Sequence, residues 1–404
     1  MTTPSFKLLC ALSGGFLVCI SYLKARNPYD AYRATVLNSA EEKLAKLTKR
    51  ERRFVEFASA EYAGQIYMTP RDFLESVLER EPKPCLRRKI LTNDEISHFH
   101  AGVPSVQYNT CMMFRKLSNS GIISFADYLF LLSVLTRPEG GFRIAFEMFD
   151  TDGNQQIEHD EFIVIRQILG RSLKERKTDD DTRKTLIRLM PKNDQSKLKD
   201  YNDVNKNQVD AMTTLQIHFF GEKGTDALSY AHFYQFMKHL QQEVLQIEFE
   251  RYAKGRDYIS DEEFAFILLN YTHLKPHQYG EYLKRIENLE ERHPVTYEQF
   301  EGFCQVLHNL DDFSVAMRFF YSVKKTISKD EFAHAVRICS GSKLGGHIID
   351  VVFALFDEDC DGLVSYSEFF VMMKNKSRFR CGYHPLGAGA FKRCLRREMK
   401  RHTR

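Results

Sequence analysis

Two stretches of twelve residues set oxygen-bearing groups at alternate places. In 150–161 (DTDGNQQIEHDE) these are Asp150, Asp152, Asn154, the Gln156 backbone carbonyl, Glu158 and Glu161. In 357–368 (DEDCDGLVSYSE) they are Asp357, Asp359, Asp361, the Leu363 carbonyl, Ser365 and Glu368, with Ser365 acting directly or through a water. Alternate spacing around a tight loop lets six or more hard oxygens face one point, as a Ca²⁺ ion requires. The closing glutamate offers two oxygens at once, which favours Ca²⁺ over the smaller and stricter Mg²⁺. The sixth place of such a loop needs left-handed backbone. Gly362 fills it in the second loop and Gln155 in the first, where a side chain costs about 1 kcal/mol and weakens binding without abolishing it.

A loop of this kind works only between two helices, and a repeat supplies them. The frame is an apolar residue, a usually acidic residue four places on, then an aromatic. It occurs at Met68-Asp72-Phe73, Ile123-Asp127-Tyr128, Ile157-Glu161-Phe162 and Leu228-His232-Phe233. It returns at Ile259-Glu263-Phe264, Val295-Gln299-Phe300, Ile327-Glu331-Phe332 and Val364-Glu368-Phe369. These are places eight, twelve and thirteen of an EF-hand: a short strand that pairs with a neighbouring loop, the last ligand, and the inward face of the exiting helix. Chain order then predicts four pairs, 68 with 123, 157 with 228, 259 with 295 and 327 with 364. Helical spacing supports this, with Phe142, Ala145, Phe146 and Phe149 ahead of the first good loop and Val352, Leu355 and Phe356 ahead of the second. The other six loops lack the ligand series. In 252–263, Tyr252 and Lys254 stand at places one and three, where a cation repels calcium; 61–72 and 116–127 likewise lack the ligand series. They read as structural partners. The wider gaps, 79–110 and 171–212, read as charged or polar inserts, with 171–206 mobile.

The chain has 404 residues, enough for two or three domains. Its 32 Phe and absent Trp suit helix pairs packed around short loops. Net charge is only +4, yet 374–404 holds eleven Lys or Arg against one acid, Glu398, a tail suited to an anionic surface. The nine cysteines form no CxxC pair, so zinc and thioredoxin chemistry find no support. Nucleophile elbows, phosphate loops and zinc-protease motifs are missing, and the reading is a non-enzyme. Residues 8–23 (LLCALSGGFLVCISYL) are apolar or small throughout, yet sixteen residues fall short of the ~20 of a comfortable membrane helix. A secretory signal, a mitochondrial import signal and a short inner-membrane anchor all stay open for this segment.

Beyond the loops, three stretches resemble the mitochondrial calcium uptake family, the EF-hand gatekeepers of the mitochondrial calcium uniporter. They are RERRFVEFASAEYAGQIYMTPRDF (50–73), GIISFADYLFLLSVLTRPEGGFRIAFEMFDTDGNQQIEHDEF (121–162) and DVVFALFDEDCDGLVSYSEF (350–369). FKRCLRREMK (391–400) resembles the family's C-terminal helix. The DTDGN opening and RERRFVEFAS are similar to the second and third paralogue types. The resemblance implies an all-α protein: paired EF-hands in two lobes, an N-terminal EF-like domain and a C-terminal helix. The division expected is a targeting or anchor segment at 1–46, the N-terminal domain at 47–137, lobes at 138–245 and 246–375, and a basic helix at 376–404. The resemblance also implies the intermembrane space, attachment to the inner membrane, a homo- or heterodimer with another family member, and control of the uniporter complex. It assigns Cys394 the bond between subunits. Arg50, Arg52 and Arg53 either meet the channel's acidic mouth or form a solvated helix face. Phe391, Leu395 and Met399 give the basic helix an apolar side for anionic inner-membrane lipid, and no nucleic-acid partner is expected. The runner-up is an ER-luminal EF-hand calcium-binding protein, although the C-terminal RHTR is no retention signal.

Overall fold

The structure is a computed structural model. It describes residues 47–79, 82, 88–106, 111–135, 140–164, 185–189, 212–272, 274–289, 292–323, 326–341, 344–359, 361–365, 367–371 and 373. The 8–23 segment, most of 171–206, Met372 and the stretch holding Phe391, Cys394, Leu395 and Met399 lie outside the described residues. Among the described residues no helix is long and apolar enough to cross a membrane.

The chain begins with α1 (Lys49–Phe57), β1 (Ala60–Tyr62), β2 (Gln65–Tyr67) and α2 (Pro70–Leu78). Then come β3 (Lys89–Ile90), α3 (Asn93–Ala101), α4 (Met113–Leu117), α5 (Phe125–Leu135) and α6 (Gly140–Phe149). β4 (Gln156–Ile157) closes the first good loop, and α7 (Thr214–Phe220), β5 (Leu228–Ser229) and α8 (Tyr230–Ala253) complete the first half. The second half runs through β6 (Tyr258–Ile259), α9 (Asp261–Asn270), α10 (Tyr279–Glu287), β7 (Val295–Thr296), α11 (Tyr297–His308) and α12 (Leu310–Val323). It ends with β8 (Thr326–Ile327), α13 (Lys329–Ser340), α14 (Gly346–Phe356), β9 (Val364–Ser365) and a π-helical turn, Ser367–Val371.

The four pairs are those that chain order predicts. Met68 bridges Ile123, and the antiparallel ladders set Ile157 opposite Leu228, Ile259 opposite Val295 and Ile327 opposite Val364. Each of these eighth-place residues is buried, so every ladder is also a core contact. Helix starts explain the rest of the frame. At Thr69-Asp72, Ser260-Glu263, Thr296-Gln299 and Ser328-Glu331 the ninth residue caps the helix and the twelfth reaches back to the cap's N–H, the reciprocal capping box. A loop that holds no metal can therefore keep an acid or amide at its twelfth place for the helix start alone.

Buried apolar residues form two large cores. One runs from Leu47 to Val244, so the N-terminal unit and the lobe after it share an interior; the other runs from Leu245 to Met373. Helix α8 passes through both, with Leu240 and Val244 in the first and Leu245, Phe249 and Ala253 in the second. Two expected inserts prove partly built in. Within 79–110, a Thr92-Glu95 capping box starts α3, and Ile96 packs with Leu91 and Tyr67 in a small third cluster. Within 171–206, the helical turn at 185–188 buries Leu186 and Leu189 in the first core, and Arg188 pairs with Glu61 at 2.7 Å. Two apolar residues three apart were too short a signal to stand out in a charged stretch.

The N-terminal unit is tied to α8 through one acid. Met112, ahead of α4, offers no side-chain cap, and Glu243 of α8 takes that place. Its carboxylate accepts from Arg115 N at 2.6 Å and Phe114 N at 3.3 Å. Burial pushes this carboxyl up to about 7, against the lowering effect of those two amides and of Arg115 and Lys116. Nearby, His218 donates from Nδ1 to the Pro104 carbonyl at 2.6 Å, and burial drives its imidazole down to about 4. Arg115 and Arg251 add ion pairs to Glu250 (2.7 Å) and Glu79 (3.0 Å) across the same seam.

Candidate calcium sites

Helix α6 delivers the chain to the first loop and Phe162 leads it out. Asp150 organises the turn: Oδ1 accepts from Gly153 N (2.7 Å) and Asn154 N (3.0 Å), and Oδ2 from Gln155 N (2.8 Å). Asp152 holds Asn154 through its backbone N–H and its side-chain amide, both at 3.0 Å. Asn154 Oδ1 in turn accepts from Gln156 N at 2.7 Å. Glu161 reaches back over the loop, taking Thr151 N at 2.7 Å and Thr151 Oγ1 at 2.6 Å on Oε1, and Glu158 N at 3.0 Å on Oε2. Gln155 adopts φ +64, the left-handed backbone expected at the sixth place. Residues 151–156 are all exposed.

The second loop repeats this plan with more support. Asp357 accepts from Asp361 N at 3.3 Å and Gly362 N at 2.9 Å, and Gly362 has φ +78. Asp361 Oδ1 takes Leu363 N at 2.7 Å. Glu368 accepts from Ser365 N at 2.6 Å and Glu358 N at 3.3 Å, while Ser365 Oγ caps Glu368 N at 3.2 Å. Helix α10 braces the loop from outside. Tyr282 donates to Glu358 Oε1 at 3.1 Å, and Arg285 Nη1 donates to the Asp357 carbonyl at 3.2 Å. Burial and the Glu358 carboxylate raise the Tyr282 phenol. Nothing in the sequence signalled this brace, which joins residues more than seventy apart in the chain.

Among the described residues, two acid groups bring carboxylate oxygens within 4.8 Å of one another: Asp150, Asp152 and Glu161, and Asp357, Asp359 and Asp361. Glu158 and Glu368 stand outside these clusters. The Asp359 carboxyl is held above its ordinary range by desolvation and then by the charge of Asp361. A cation among like charges this close would relieve their repulsion, and an all-oxygen donor set selects a hard one. The residues present therefore fit Ca²⁺. Leaving each loop, an aromatic follows the final glutamate into the core. Phe162 meets Phe130 (5.5 Å), Phe220 (5.5 Å) and Phe219 (6.0 Å), and Phe369 meets Phe356 (5.3 Å), Phe332 (5.5 Å) and Phe313 (6.0 Å) between ring centroids. Met373 is buried beside them.

The arginine candidates share α1. Arg53 donates to the Ser76 carbonyl at 2.6 Å and to that of Glu79, closing the C-terminal end of α2, and lies 4.6 Å over Phe57. Arg50 and Arg52 are half-buried on the same short helix.

Paired EF-hands with two acid-lined loops define a calcium-binding protein. Comparison with known proteins narrows that class. The profile of an EF-hand domain pair matches residues 324–376. Mouse (Mus musculus) calcium uptake protein 3, mitochondrial, is 37% identical over 393 residues, covering 88% of this chain and 74% of that protein. Mouse calcium uptake protein 2, mitochondrial, is 34% identical over 334 residues, covering 82% and 73%. The crystal structure of EFHA2 in its Ca-binding state superposes with a TM-score of 0.73 at 38% identity, covering 83% of this chain and 100% of that one. The chain belongs to the mitochondrial calcium uptake protein family, among relatives of the types that the DTDGN loop resembles.

Proposed function

We propose that this chain is a calcium-sensing regulatory subunit of the mitochondrial calcium uniporter, acting by conformation rather than catalysis. The observation that carries this reading is the same in both halves: a glutamate folded back onto the backbone amides of an acid-lined loop, with a core phenylalanine as its next neighbour. Asp150, Asp152, Asn154, the Gln156 carbonyl, Glu158 and Glu161 would hold one ion, and Asp357, Asp359, Asp361, the Leu363 carbonyl, Ser365 and Glu368 the other. Bound Ca²⁺ supplies the positive charge that lets each set of carboxylates lie together. Without that charge the acids repel, and Glu161 and Glu368 swing away from the loop amides. Calcium binding draws each glutamate onto the ion and rotates its exiting helix, so that Phe162 and Phe369 repack out of ring contacts that each contribute about 0.5–1.5 kcal/mol beyond their buried area, opening a hydrophobic groove. Exiting-helix motion of this kind is how EF-hand sensors report calcium.

The expected site of action is the intermembrane space at the inner membrane, as a homo- or heterodimer with another family member. Arg50, Arg52 and Arg53 are the candidates for an acidic channel mouth, Cys394 for a bond between subunits, and the basic C-terminal helix for anionic lipid. The direct test is the double variant Glu161→Lys with Glu368→Lys in mitochondria that lack the native chain. The calcium threshold of uptake should shift; an unchanged threshold would remove the sensor reading.

A further inference from the structure

Loop 252–263 keeps the EF-hand frame but puts cations where ligands belong, and the sequence predicts a structural partner. The structure shows how that partner is held. Arg256, at the fifth place, sets Nη2 2.6 Å from both carboxylate oxygens of Glu263, at the twelfth. The same guanidinium donates to the Ala253 carbonyl (2.9 Å) and the Tyr252 carbonyl (3.2 Å) at the loop's start, and lies 5.2 Å over the Tyr258 ring. Glu263 also accepts from Ser260 N at 2.9 Å, the ninth-to-twelfth bond that Glu158-Glu161 and Ser365-Glu368 make in the acid-lined loops. Lys254 stands further off, 3.8 Å from Glu263. Arg256 thus joins the start of the loop to its last carboxylate, the connection that a divalent ion makes in a working hand.

This hand supports the second acid-lined loop. Its exiting helix, α9, begins with buried Asp261, whose Oδ1 lies 2.6 Å from His347 Nε2 on the first turn of α14. Helix α14 leads directly into 357–368. On α10, Tyr279 packs against Phe266 of α9 at 5.7 Å, and Arg285 reaches across to the Leu355 carbonyl of α14 at 3.5 Å. The position of α9 therefore fixes the helix that feeds the loop and bears on the one that braces it.

We propose that Arg256 is a tethered cation that holds hand 252–263 in the ion-loaded arrangement at all calcium concentrations, and that this locked hand sets the calcium affinity of loop 357–368. The proposal rests on 357–368 being a calcium loop, and the experiment keeps the two apart. In full-length protein carrying Glu161→Gln to silence the first loop, calcium is titrated by calorimetry with and without Arg256→Gln. Amide exchange over 258–264 is followed in calcium-free buffer. Arg256→Gln should weaken the remaining site at least fivefold and speed exchange at Ser260 and Glu263, whereas Lys254→Gln should do neither. Unchanged affinity with unchanged exchange overturns the lock, because the contact is then a surface ion pair. An equal effect from Lys254→Gln also overturns it, because net charge rather than the bridge is then responsible. No calcium uptake in the Glu161→Gln background removes the loop assignment itself, and the proposal with it.

Discussion

Loops 150–161 and 357–368 carry the same run of oxygens in different surroundings. The first stands in solvent, with 151–156 exposed and a glutamine forced into left-handed backbone. The second is gripped from α10 by Tyr282 and Arg285, buries Asp357, and turns on a glycine. Ligand identity is written locally, while the support that sets binding strength comes from helices far off in the chain. The two sites can therefore hold one chemistry at two strengths, with the braced loop the tighter.

Charge reversal tests the comparison hardest. Glu161→Lys and Glu368→Lys, made singly, should each abolish one site, a loss of more than about 100-fold or about 3 kcal/mol, and leave the other within a few fold in calorimetry. If either variant silences both loops, the halves are not separable.

The next effect separates the halves by pH. Glu243 rises from 4.5 to about 7 on folding, so the folded first half binds the extra proton and loses stability as pH climbs from about 4.5 to 7. His218 falls from 6.5 to about 4, so its contribution is present above 6.5 and lost as pH drops toward 4. The two slopes oppose each other in the wild type. Glu243→Gln removes one, and should raise stability at pH 7.5 by about 1–3 kcal/mol in urea melts, leaving a curve that climbs from pH 4 to 6.5 and then flattens. A destabilised variant at pH 7.5 would mean that the ionised carboxylate is needed as the cap of α4.

Gln155→Gly should tighten the first loop by about 1 kcal/mol, close to fivefold, and narrow the gap between the sites. Gly362→Ala should loosen the second loop by a similar amount, which also narrows the gap. The smallest change expected is from Tyr282→Phe, about 0.5 kcal/mol or twofold weaker binding at 357–368 alone. A larger loss at 150–161 would show that the brace acts across both cores.

What the sequence revealed follows the same division. The four pairings, the two acid clusters and the left-handed Gln155 were readable because ladder, capping box and loop acids all fall within a few residues of one another. The twelfth-place acid has a second role that the frame alone does not show. In Ser260-Glu263 and Ser328-Glu331 it serves the start of a helix, so its presence does not mark a metal loop. Contacts between distant segments left no trace: Glu243 capping α4, α10 bracing 357–368, and Leu186 with Leu189 anchoring a charged stretch. Arg256 had a faint signal, an arginine at the fifth place with a glutamate at the twelfth, but the pairing depends on a side-chain direction that spacing does not give.

Helix α8 has a consequence of its own. Its 24 residues form one unbroken rod, about 36 Å long, that is the last helix of one core and the first of the other. Such a rod fixes rotational phase as well as distance. One residue inserted near its middle would twist the two cores by about 100° relative to each other, whereas seven would nearly restore the phase while parting them by about 10 Å. If calcium in one half is felt in the other through this rod, the one-residue insertion should uncouple the sites and the seven-residue insertion should largely spare them.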